Sequence, residues 1–383
     1  MKKFISIVLS AVIILTSFSI FASAENNKEL KFNEDGKFKI LHVADIQDNV
    51  CIAPQALECI AAVCDDEQPD LIVLGGDNIS SAVSKDKNDN AEKAFKNVKF
   101  SINLFMSIFE ERNIPTALVF GNHDGNHLVP KEKQMEIYES YDRFIGSDEN
   151  EELYGCNTSN IPIMSSDGKN IAYNLWLFDT GEGLEDAPGY DWVHDDQVEW
   201  YVNKSNELKA ANGGKVVPSI AFQHIPIIES LVAIEEGKLI SGELNRTPRP
   251  SKHASKQFSA ILNQGDVQAM FFGHDHVNTY TINYKGINLV ATPTSGVGAY
   301  GDENKGVRVI ELDENDTSTY KTRLVNYLDT YCKDDTQYAR FKMNDKELDV
   351  FPRILYTIRY IYKALEEGVS FFKICYEIHC ILT

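Results

Sequence analysis

Five short polar segments of the chain each follow an apolar run and carry side chains that bind metals or transfer protons. They begin at Asp45, Gly76, Gly121, His224 and Gly273. Together they supply aspartate, asparagine, glutamine and histidine, which are oxygen and nitrogen donors that suit zinc, iron, manganese or nickel. One such segment alone is more simply explained by capping or hydrogen bonding. Five in series predict a metal site assembled from distant parts of the chain.

Short strands must position these segments. Apolar, β-rich runs of four to eight residues occupy 37–44, 71–74, 117–120, 171–178, 216–222, 269–272, 279–284, 287–291 and 307–312. Between them, apolar residues recur at helical spacing over 91–109, which predicts an amphipathic helix. This alternation favours an α/β fold that is closer to a meander in its final third. The carboxyl ends of strands line one crevice in an open α/β sheet, so the five segments are expected to converge there.

Composition and charge bound the class of protein. The chain has 383 residues, of which 43% are hydrophobic and 25% charged, and this excludes a disordered, collagenous or coiled-coil protein. Acidic residues outnumber basic ones by 57 to 37, for a formal net charge of −20. A nucleic-acid-binding protein needs a basic face, so we expect no nucleic-acid-binding surface.

The N-terminus has the three parts of a secretory signal peptide. Lys2 and Lys3 precede an apolar stretch over 4–22, and Ala22-Ser23-Ala24 is a cleavage site of small residues. We therefore expect residues 1–24 to be removed and the protein to be secreted or held in the cell envelope. An uncleaved anchor is the alternative, because an apolar run of 19 residues is just long enough to span a bilayer.

The order of the polar motifs and their amino-acid sequences resemble those of a known family. The strings GDNI at 76–79, GNHD at 121–124 and GHDHVN at 273–278 resemble the calcineurin-like metallophosphoesterase superfamily, in its purple-acid-phosphatase-like branch. The resemblance covers about residues 37 to 312. It implies a four-layer αββα sandwich with mixed sheets, with the metallophosphoesterase domain at 25–328 and a binuclear metal centre at the strand ends.

The resemblance also implies a ligand set. Asp77 would bridge two divalent or trivalent ions of manganese, iron, zinc or nickel, and a hydroxide held between them would attack phosphorus. The ligands implied for one ion are Asp45, Gln47 and His276. Those implied for the other are Asn122, His224 and His274. His123 would bind no metal; it would stabilise the developing charge and protonate the leaving alkoxide.

Two positions depart from the family pattern. Many relatives carry histidine at the position of Gln47, and an amide oxygen is the weaker donor to zinc or iron. Asp48 or water is the substitute if Gln47 does not bind. Ser80 stands where true purple acid phosphatases carry the tyrosine that gives their colour, so no purple colour is expected.

The function predicted from these residues is hydrolysis of a small phosphorylated substrate, namely a phosphomonoester. A phosphodiesterase on the same metal centre is one alternative, distinguished by how open the site is on the leaving-group side. The other alternative is a degenerate, non-catalytic protein that binds phosphate or metal at the cell surface, motivated by Gln47. Tyr190, Trp192 and the glycine-rich segment 294–301 are candidates for the lip of the site.

The remaining residues, 329–383, form a tail of a different character. Apolar residues fall on one helical face over 354–365 and on a second over 371–381. This pattern predicts two helices that dock on the domain or on a second copy of the chain, with weak binding to a membrane surface as the alternative. We expect the tail to be dispensable for chemistry. The seven cysteines predict a few buried thiols and one bridge.

Overall fold

The computed structural model describes residues 29–81, 90–125, 128–146, 152–184 and 189–382. The predicted signal peptide lies outside these residues. Within them, no helix is both long enough and apolar enough to cross a membrane.

Thirteen strands build two sheets in the described part of the chain. In chain order they are β1 (Leu30–Lys31), β2 (Lys37–Val43), β3 (Leu71–Gly75), β4 (Thr116–Val119), β5 (Ser159–Met164), β6 (Ile171–Phe178), β7 (Ser219–Gln223), β8 (Leu239–Ser241), β9 (Val267–Phe272), β10 (Thr281–Tyr284), β11 (Ile287–Ala291), β12 (Gly306–Asp313) and β13 (Tyr320–Asn326). The eight-stranded sheet has the order β1-β5-β6-β7-β9-β11-β10-β8, and the five-stranded sheet has the order β13-β12-β2-β3-β4. Both sheets are mixed, since β2, β3 and β4 pair in parallel whereas β12 is antiparallel to β2.

Ten α-helices lie in the same residues. They are α1 (Pro54–Glu67), α2 (Ala91–Glu111), α3 (Lys131–Tyr138), α4 (Asp195–Ala211), α5 (Glu229–Glu235), α6 (Gln257–Gln264), α7 (Tyr327–Tyr331), α8 (Asp335–Asn344), α9 (Val350–Glu366) and α10 (Phe371–Leu382). The helix α2 confirms the periodicity over 91–109, and its buried residues Val98, Ile102, Phe105 and Phe109 lie on one face.

The two-residue period of the strands separates four layers. In β3, Leu71 and Val73 pack against the eight-stranded sheet, whereas Ile72 and Leu74 face the helical layer that contains Phe105. Successive strand residues point to opposite faces, so a strand that is apolar throughout must be covered on both sides.

The eight-stranded sheet is covered in the same way. Leu175 of β6 joins the core between the sheets, and its neighbour Trp176 packs edge-to-face on Tyr201 of α4, with ring centroids 4.8 Å apart. The layers therefore run helix, sheet, sheet, helix. The predicted αββα architecture is confirmed.

All nine predicted runs form strands, but four observed strands were not predicted. The edge strand β13 alternates exposed Lys321 and Arg323 with half-buried residues, so it lacks the continuous apolar run of a buried strand. The strand β5 contains Pro162, which removes a backbone donor and argues against a strand on sequence grounds alone. The remaining two, β1 and β8, have only two and three residues.

The tail helices dock on the domain rather than standing apart from it. They share a small core made of Ala339, Met343, Tyr360, Ala364 and Ile374. A buried guanidinium at Arg340 joins Glu377 of α10, at 2.7 Å between Nη2 and Oε1, and also pairs with Glu58 of α1.

A disulfide between Cys51 and Cys380 ties the end of the tail to the loop after β2. The other cysteines of the chain are free thiols, of which only Cys375 is exposed. One bridge and several buried thiols agree with the expectation from the sequence.

Candidate metal centre

The structure brings the five polar segments together where the two sheets meet. Asp45 follows the end of β2 and Asp77 follows β3, while His224 follows β7 on the other sheet. One ligand atom from each of these three buried residues lies within 4.8 Å of the others. The convergence at the carboxyl ends of parallel strands is the one expected from the sequence.

The backbone at this point adopts a conformation that side chains other than glycine rarely take. The φ angles of Asp45, Gln47, Asp77 and His274 are 55°, 34°, 49° and 72°, all in the left-handed region. Such residues cost free energy and persist where the surrounding structure holds them, most often at functional sites. These turns direct the side chains back over the ends of the strands.

Glycines in the motifs let the segments approach closely. A Cβ atom on Gly121 would lie 2.3 Å from both the backbone nitrogen and Oδ1 of Asp77. A Cβ atom on Gly273 would lie 2.6 Å from Oδ2 of Asp45. Any larger residue at these positions would push the two carboxylates out of place.

Asp45 lies among the histidines of the last motif. Its Oδ1 is 3.1 Å from Nε2 of His276, and its Oδ2 accepts a hydrogen bond of 3.0 Å from the backbone nitrogen of His274. The carboxylate is fully buried, so it needs cationic or hydrogen-bonding neighbours to remain charged.

Asp77 contacts the residues predicted for both metal ions. Its Oδ2 lies 3.2 Å from Nε2 of His224 and accepts a hydrogen bond of 3.3 Å from the Gln47 amide. Its Oδ1 accepts a hydrogen bond of 2.6 Å from the backbone nitrogen of His123. The two oxygens of this one carboxylate therefore face different sides of the site.

Two buried atoms that can bind a metal have no hydrogen-bond partner in the described part of the chain. They are Oδ1 of Asn122 and Nε2 of His274. Buried polar atoms are almost always paired, so these two atoms beside two carboxylates fit a cation that would coordinate them. The donor set, with carboxylate, amide and imidazole, is the kind that zinc, iron or manganese accepts.

The histidine rings are oriented for binding through Nε2. Nδ1 of His224 donates to the carbonyl of Gly75 at 2.9 Å, and Nδ1 of His276 donates to the carbonyl of Tyr300 at 2.8 Å. Because a carbonyl only accepts, each Nδ1 carries a proton, which leaves Nε2 as the nitrogen that would bind a metal ion in place of a second proton.

The electrostatics of the protein alone show how strongly the site attracts positive charge. Burial lowers the pKa of His224, but the carboxylates of Asp77 and Asp45 outweigh it and raise that pKa to about 10. Burial, with the neighbouring His224, lowers the pKa of His274 to about 3. The two carboxylates thus hold one proton at the site, in the place where a cation would neutralise them.

His123 lies beside this cluster rather than inside it. Its ring is half-buried, and its Nδ1 is 3.2 Å from Oγ of Ser81. The neighbouring Asp124, to which no role was assigned from the sequence, is fully buried and accepts hydrogen bonds from the backbone nitrogens of Gly121 and Ile79 at 2.7 and 3.0 Å. Burial and the nearby Asp77 raise the pKa of Asp124 to about 7. Asp124 therefore braces the loop that carries Asn122 and His123.

The structure gives different surroundings to Gln47 and to Asp48, its predicted substitute as a metal ligand. The oxygens of Asp48 accept hydrogen bonds from the backbone nitrogens of Asn49 and Ala53, at 2.9 and 2.8 Å. Gln47 instead lines the cavity beside Asp77. Of the two side chains, Gln47 is the one placed to reach a metal.

A cavity of about 260 Å³ opens over these residues. Its inner wall is formed by Gln47, Asp77, Asn122, His123, His274 and His276, and its outer wall by Tyr190, Arg246, Arg249, Tyr300 and Glu347. The two tyrosines belong to the predicted lip. Trp192 does not line this cavity; its ring stacks on His253 instead, at a centroid distance of 3.9 Å.

Three residues of the outer wall were not identified from the sequence. Arg246 and Arg249 lie in a loop after β8 that follows no apolar strand run, and isolated arginines are common on surfaces. Glu347 belongs to the segment between α8 and α9, so the tail reaches the cavity that we expected it to leave untouched. The predicted metal ligands were recognised because they follow apolar strand runs, most of them next to a glycine. None of these three residues lies in such a position.

Comparison with known proteins places this geometry in context. The model of the calcineurin-like phosphoesterase family matches residues 38–278. The probable inactive purple acid phosphatase 29 of Arabidopsis thaliana is 27% identical over 351 residues, covering 83% of this chain and 87% of that protein. Phosphatase DCR2 of Saccharomyces cerevisiae is 24% identical over 335 residues, covering 78% of this chain and 55% of that protein. Among solved structures, a dimetal phosphatase from Danio rerio aligns with 76% of this chain and 99% of its own, at 11% identity and a TM-score of 0.46.

Proposed function

The chain belongs to the calcineurin-like phosphoesterase family, whose members are metal-dependent phosphoesterases, and on that premise we propose that it is a secreted enzyme that hydrolyses phosphomonoesters at a centre of two metal ions. One observation carries the proposal. Asp45, Asp77 and His224 are buried within reach of one another, and unpaired donor atoms of Asn122 and His274 adjoin them. Burying two carboxylates beside unpaired polar atoms costs stability, and a bound cation would offset that cost.

The residues that would hold the ions fall into two groups. Asp45, Gln47 and His276 would hold one ion. Asn122, His224 and His274 would hold the other. Asp77 would be shared, in line with the contacts of its Oδ2 to Gln47, from one group, and to His224, from the other. When bound, such ions supply a water nucleophile at neutral pH and offset the charge of the phosphoryl group.

In this proposal His123 acts on the leaving group. Its backbone nitrogen is anchored on Asp77 and its ring Nδ1 contacts Ser81, so Nε2 is left to face the cavity that the ring lines. A proton at that nitrogen can pass to the departing alkoxide oxygen. General acid catalysis of this kind contributes about 10²- to 10⁴-fold.

The competing function is a non-catalytic protein that binds metal or phosphate. The names of the plant relatives, which call them probable inactive purple acid phosphatases, favour it. Against it, this chain keeps a candidate proton donor, His123, in the same cavity as the unpaired metal donors. A protein that only binds has no use for that proton.

The experiment that decides is metal removal and return. The chain from residue 25 onward is stripped with a chelator and reloaded with manganese, zinc or iron(II). Turnover of para-nitrophenyl phosphate and of bis(para-nitrophenyl) phosphate is then measured with the number of ions bound per chain. Turnover of the monoester that rises with two bound ions supports the proposal. A preference for the diester would make the protein a phosphodiesterase, and full loading without turnover of either compound would make it the non-catalytic protein.

We also propose that the exported protein binds membrane surfaces through its tail. Ten large apolar side chains of α9 and α10 are exposed, from Tyr376 at 46% to Phe372 at 85%. Residues 350–383 contain four basic and three acidic side chains, a charge of +1, whereas the whole chain carries −20. An anionic bilayer therefore repels the tail less than it repels the chain as a whole. Association with a second copy is the other outcome of the same test.

A further inference from the structure

The outer wall of the cavity carries two arginines that the metal chemistry does not use. The Arg246 guanidinium lies 5.4 Å from the centre of the Tyr300 ring and 3.5 Å from the carboxylate of Glu347. The Arg249 side chain makes no hydrogen bond or ion pair with any residue that the structure describes. Both arginines are exposed at the mouth of the cavity, so a bound molecule could reach both.

The loop that carries the arginines is fixed to the metal-binding segment. Asn278, which is fully buried, accepts hydrogen bonds at its Oδ1 from the backbone nitrogens of Asn245 and Arg246, both at 3.0 Å. Its Nδ2 donates to the carbonyl of Arg246 at 2.8 Å. Asn278 is the last residue of the GHDHVN string. Its side chain pairs with the backbone of this loop as a neighbouring strand would, and it thereby fixes the position of Arg246.

A second residue of that string supports the other arginine. Oδ2 of Asp275 accepts a hydrogen bond of 3.4 Å from the backbone nitrogen of Arg249. Neither Asp275 nor Asn278 is a predicted metal ligand. Their contacts hold the backbone of the arginine loop against the segment that carries His274 and His276.

Tyr300 sets the distance between Arg246 and the centre. The ring of His276 stacks on Tyr300 with centroids 3.7 Å apart. Because His276 covers that face of the ring, Arg246 approaches from the other one. The guanidinium therefore lies one aromatic ring away from a predicted metal ligand, a position that suits a group further along the substrate than the phosphoryl group.

The charge of the mouth is opposite to that of the protein. The chain has a formal charge of −20, which repels anionic ligands at long range. Among the described residues that line the mouth, two guanidinium groups face one carboxylate, that of Glu347. Guanidinium groups bind carboxylates and phosphates with two parallel hydrogen bonds, so this local excess selects for anions.

We infer that Arg246 and Arg249 form a subsite for a second negatively charged group, a carboxylate or a phosphate, on the leaving-group side of the substrate. The inference rests on the proposed phosphomonoesterase function and names its substrate class. When no substrate is bound, the carboxylate of Glu347 pairs with the guanidinium of Arg246, and the second anion of the substrate displaces it. The tail thereby supplies one residue of the substrate site.

The test uses pairs of substrates that differ in the second anion. Glycerol 3-phosphate and 3-phosphoglycerate differ by a carboxylate, and fructose 6-phosphate and fructose 1,6-bisphosphate differ by a phosphate. We expect wild-type kcat/KM to be at least tenfold higher for the member that carries the second anion in one or both pairs; the pair that shows it identifies the group. The double variant Arg246→Met, Arg249→Met should lower this ratio at least tenfold, mainly through KM.

Two further variants sharpen the result. Lys252→Met removes a positive charge from an exposed side chain close in sequence but outside the cavity wall, and it should change the ratio less than twofold. Glu347→Gln frees Arg246 and should raise kcat/KM for the doubly anionic substrates by about two- to fivefold, as expected for loss of one exposed ion pair. A fall for those substrates would contradict the displacement of Glu347.

Three results would overturn the inference. They are a wild-type ratio near one in both pairs, a ratio that survives in the double variant, and equal losses of kcat/KM on both members of a pair, which would put the arginines on the transferred phosphoryl group. The proposed function itself is decided by para-nitrophenyl phosphate, so if the wild type hydrolyses none of the four compounds, the subsite is tested by calorimetry with the metal-loaded protein. Tighter binding of 3-phosphoglycerate than of glycerol 3-phosphate, abolished in the double variant, would then support it, and equal binding would refute it.

Discussion

The strand ends that form the metal centre and the helices of the tail differ in what they bury. At the centre, Asp45, Asp77 and His224 are almost wholly buried although they are charged or polar. In the tail, Phe351 and Phe372 are 70% and 85% exposed although they are apolar. Both arrangements cost stability. Buried charges lose their hydration, and exposed aromatic side chains do not gain the free energy of burial in a core. The two proposals made above, chemistry at the candidate metal centre and contact of the tail with another surface, would account for these costs.

The largest effect should come from the carboxylate that both predicted ion sites share. Asp77→Asn removes the charge that contacts Gln47 and His224, so we expect turnover to fall by more than about 10⁴-fold and both ions to be lost. Asn122→Ala removes one neutral donor and should lower the content of one ion only. Metal analysis and kcat for the two variants check this. An Asp77→Asn protein with two ions and normal turnover would contradict the bridging role.

His123 tests whether the cavity has a catalytic group apart from the metal ligands. His123→Asn should keep full metal content and lower kcat for alkyl phosphates by about 10²- to 10⁴-fold, because the leaving alkoxide loses its proton donor. The loss should be much smaller for para-nitrophenyl phosphate, whose leaving group needs no proton. Loss of metal in this variant, or equal losses on both substrates, would remove His123 from that role.

The sequence predicted that the polar motifs meet but not where the arginine loop lies, for a physical reason. Asp45 and His276 are 231 positions apart and yet meet, because each follows a strand in the same pair of sheets and strand ends converge in every fold of this class. Arg246 gives no such signal. Its place depends on three hydrogen bonds between the side chain of Asn278 and the backbone of Asn245 and Arg246, which only the folded chain reveals.

The tail was predictable as helices but not as a neighbour of the site. Periodicity over 354–365 indicates a helix whatever it packs on, whereas docking depends on pairs such as Arg340 with Glu377 and on the bridge between Cys51 and Cys380. Long-range pairs of this kind have no local pattern. The same limit explains why Glu347 was not expected at the cavity wall.

A smaller effect on activity is expected from substitutions of Gln47, the position at which this sequence departs from the family pattern. An amide oxygen is a weak donor, so the ion held by Asp45, Gln47 and His276 should leave first on dialysis against chelator. Gln47→His should raise the affinity of the protein for that ion, and Gln47→Ala should lower this affinity by about 10- to 100-fold. Titration of manganese, zinc and iron(II) into stripped protein, with bound ions counted, gives these affinities. If Gln47→Ala binds metal and turns over substrate as the wild type does, Gln47 is not a ligand.

The smallest effect on turnover should come from the apolar face of the tail, and it completes the contrast between the two regions. Ile358 is 58% exposed on α9, so a charge there disturbs no core, and Ile358→Glu should leave kcat and the melting temperature nearly unchanged. Binding to vesicles of anionic phospholipid should nevertheless fall at least fivefold, because the substitution puts a charge into the face that would enter the bilayer. Ile240→Glu is the matched control, since Ile240 is 60% exposed on β8, away from the tail, and it should bind vesicles as the wild type does. Sedimentation with vesicles measures this binding, and sedimentation velocity without lipid measures association between copies. A dimer that dissociates on Ile358→Glu, with no vesicle binding by the wild type, would assign the face to a second copy of the chain instead of a membrane.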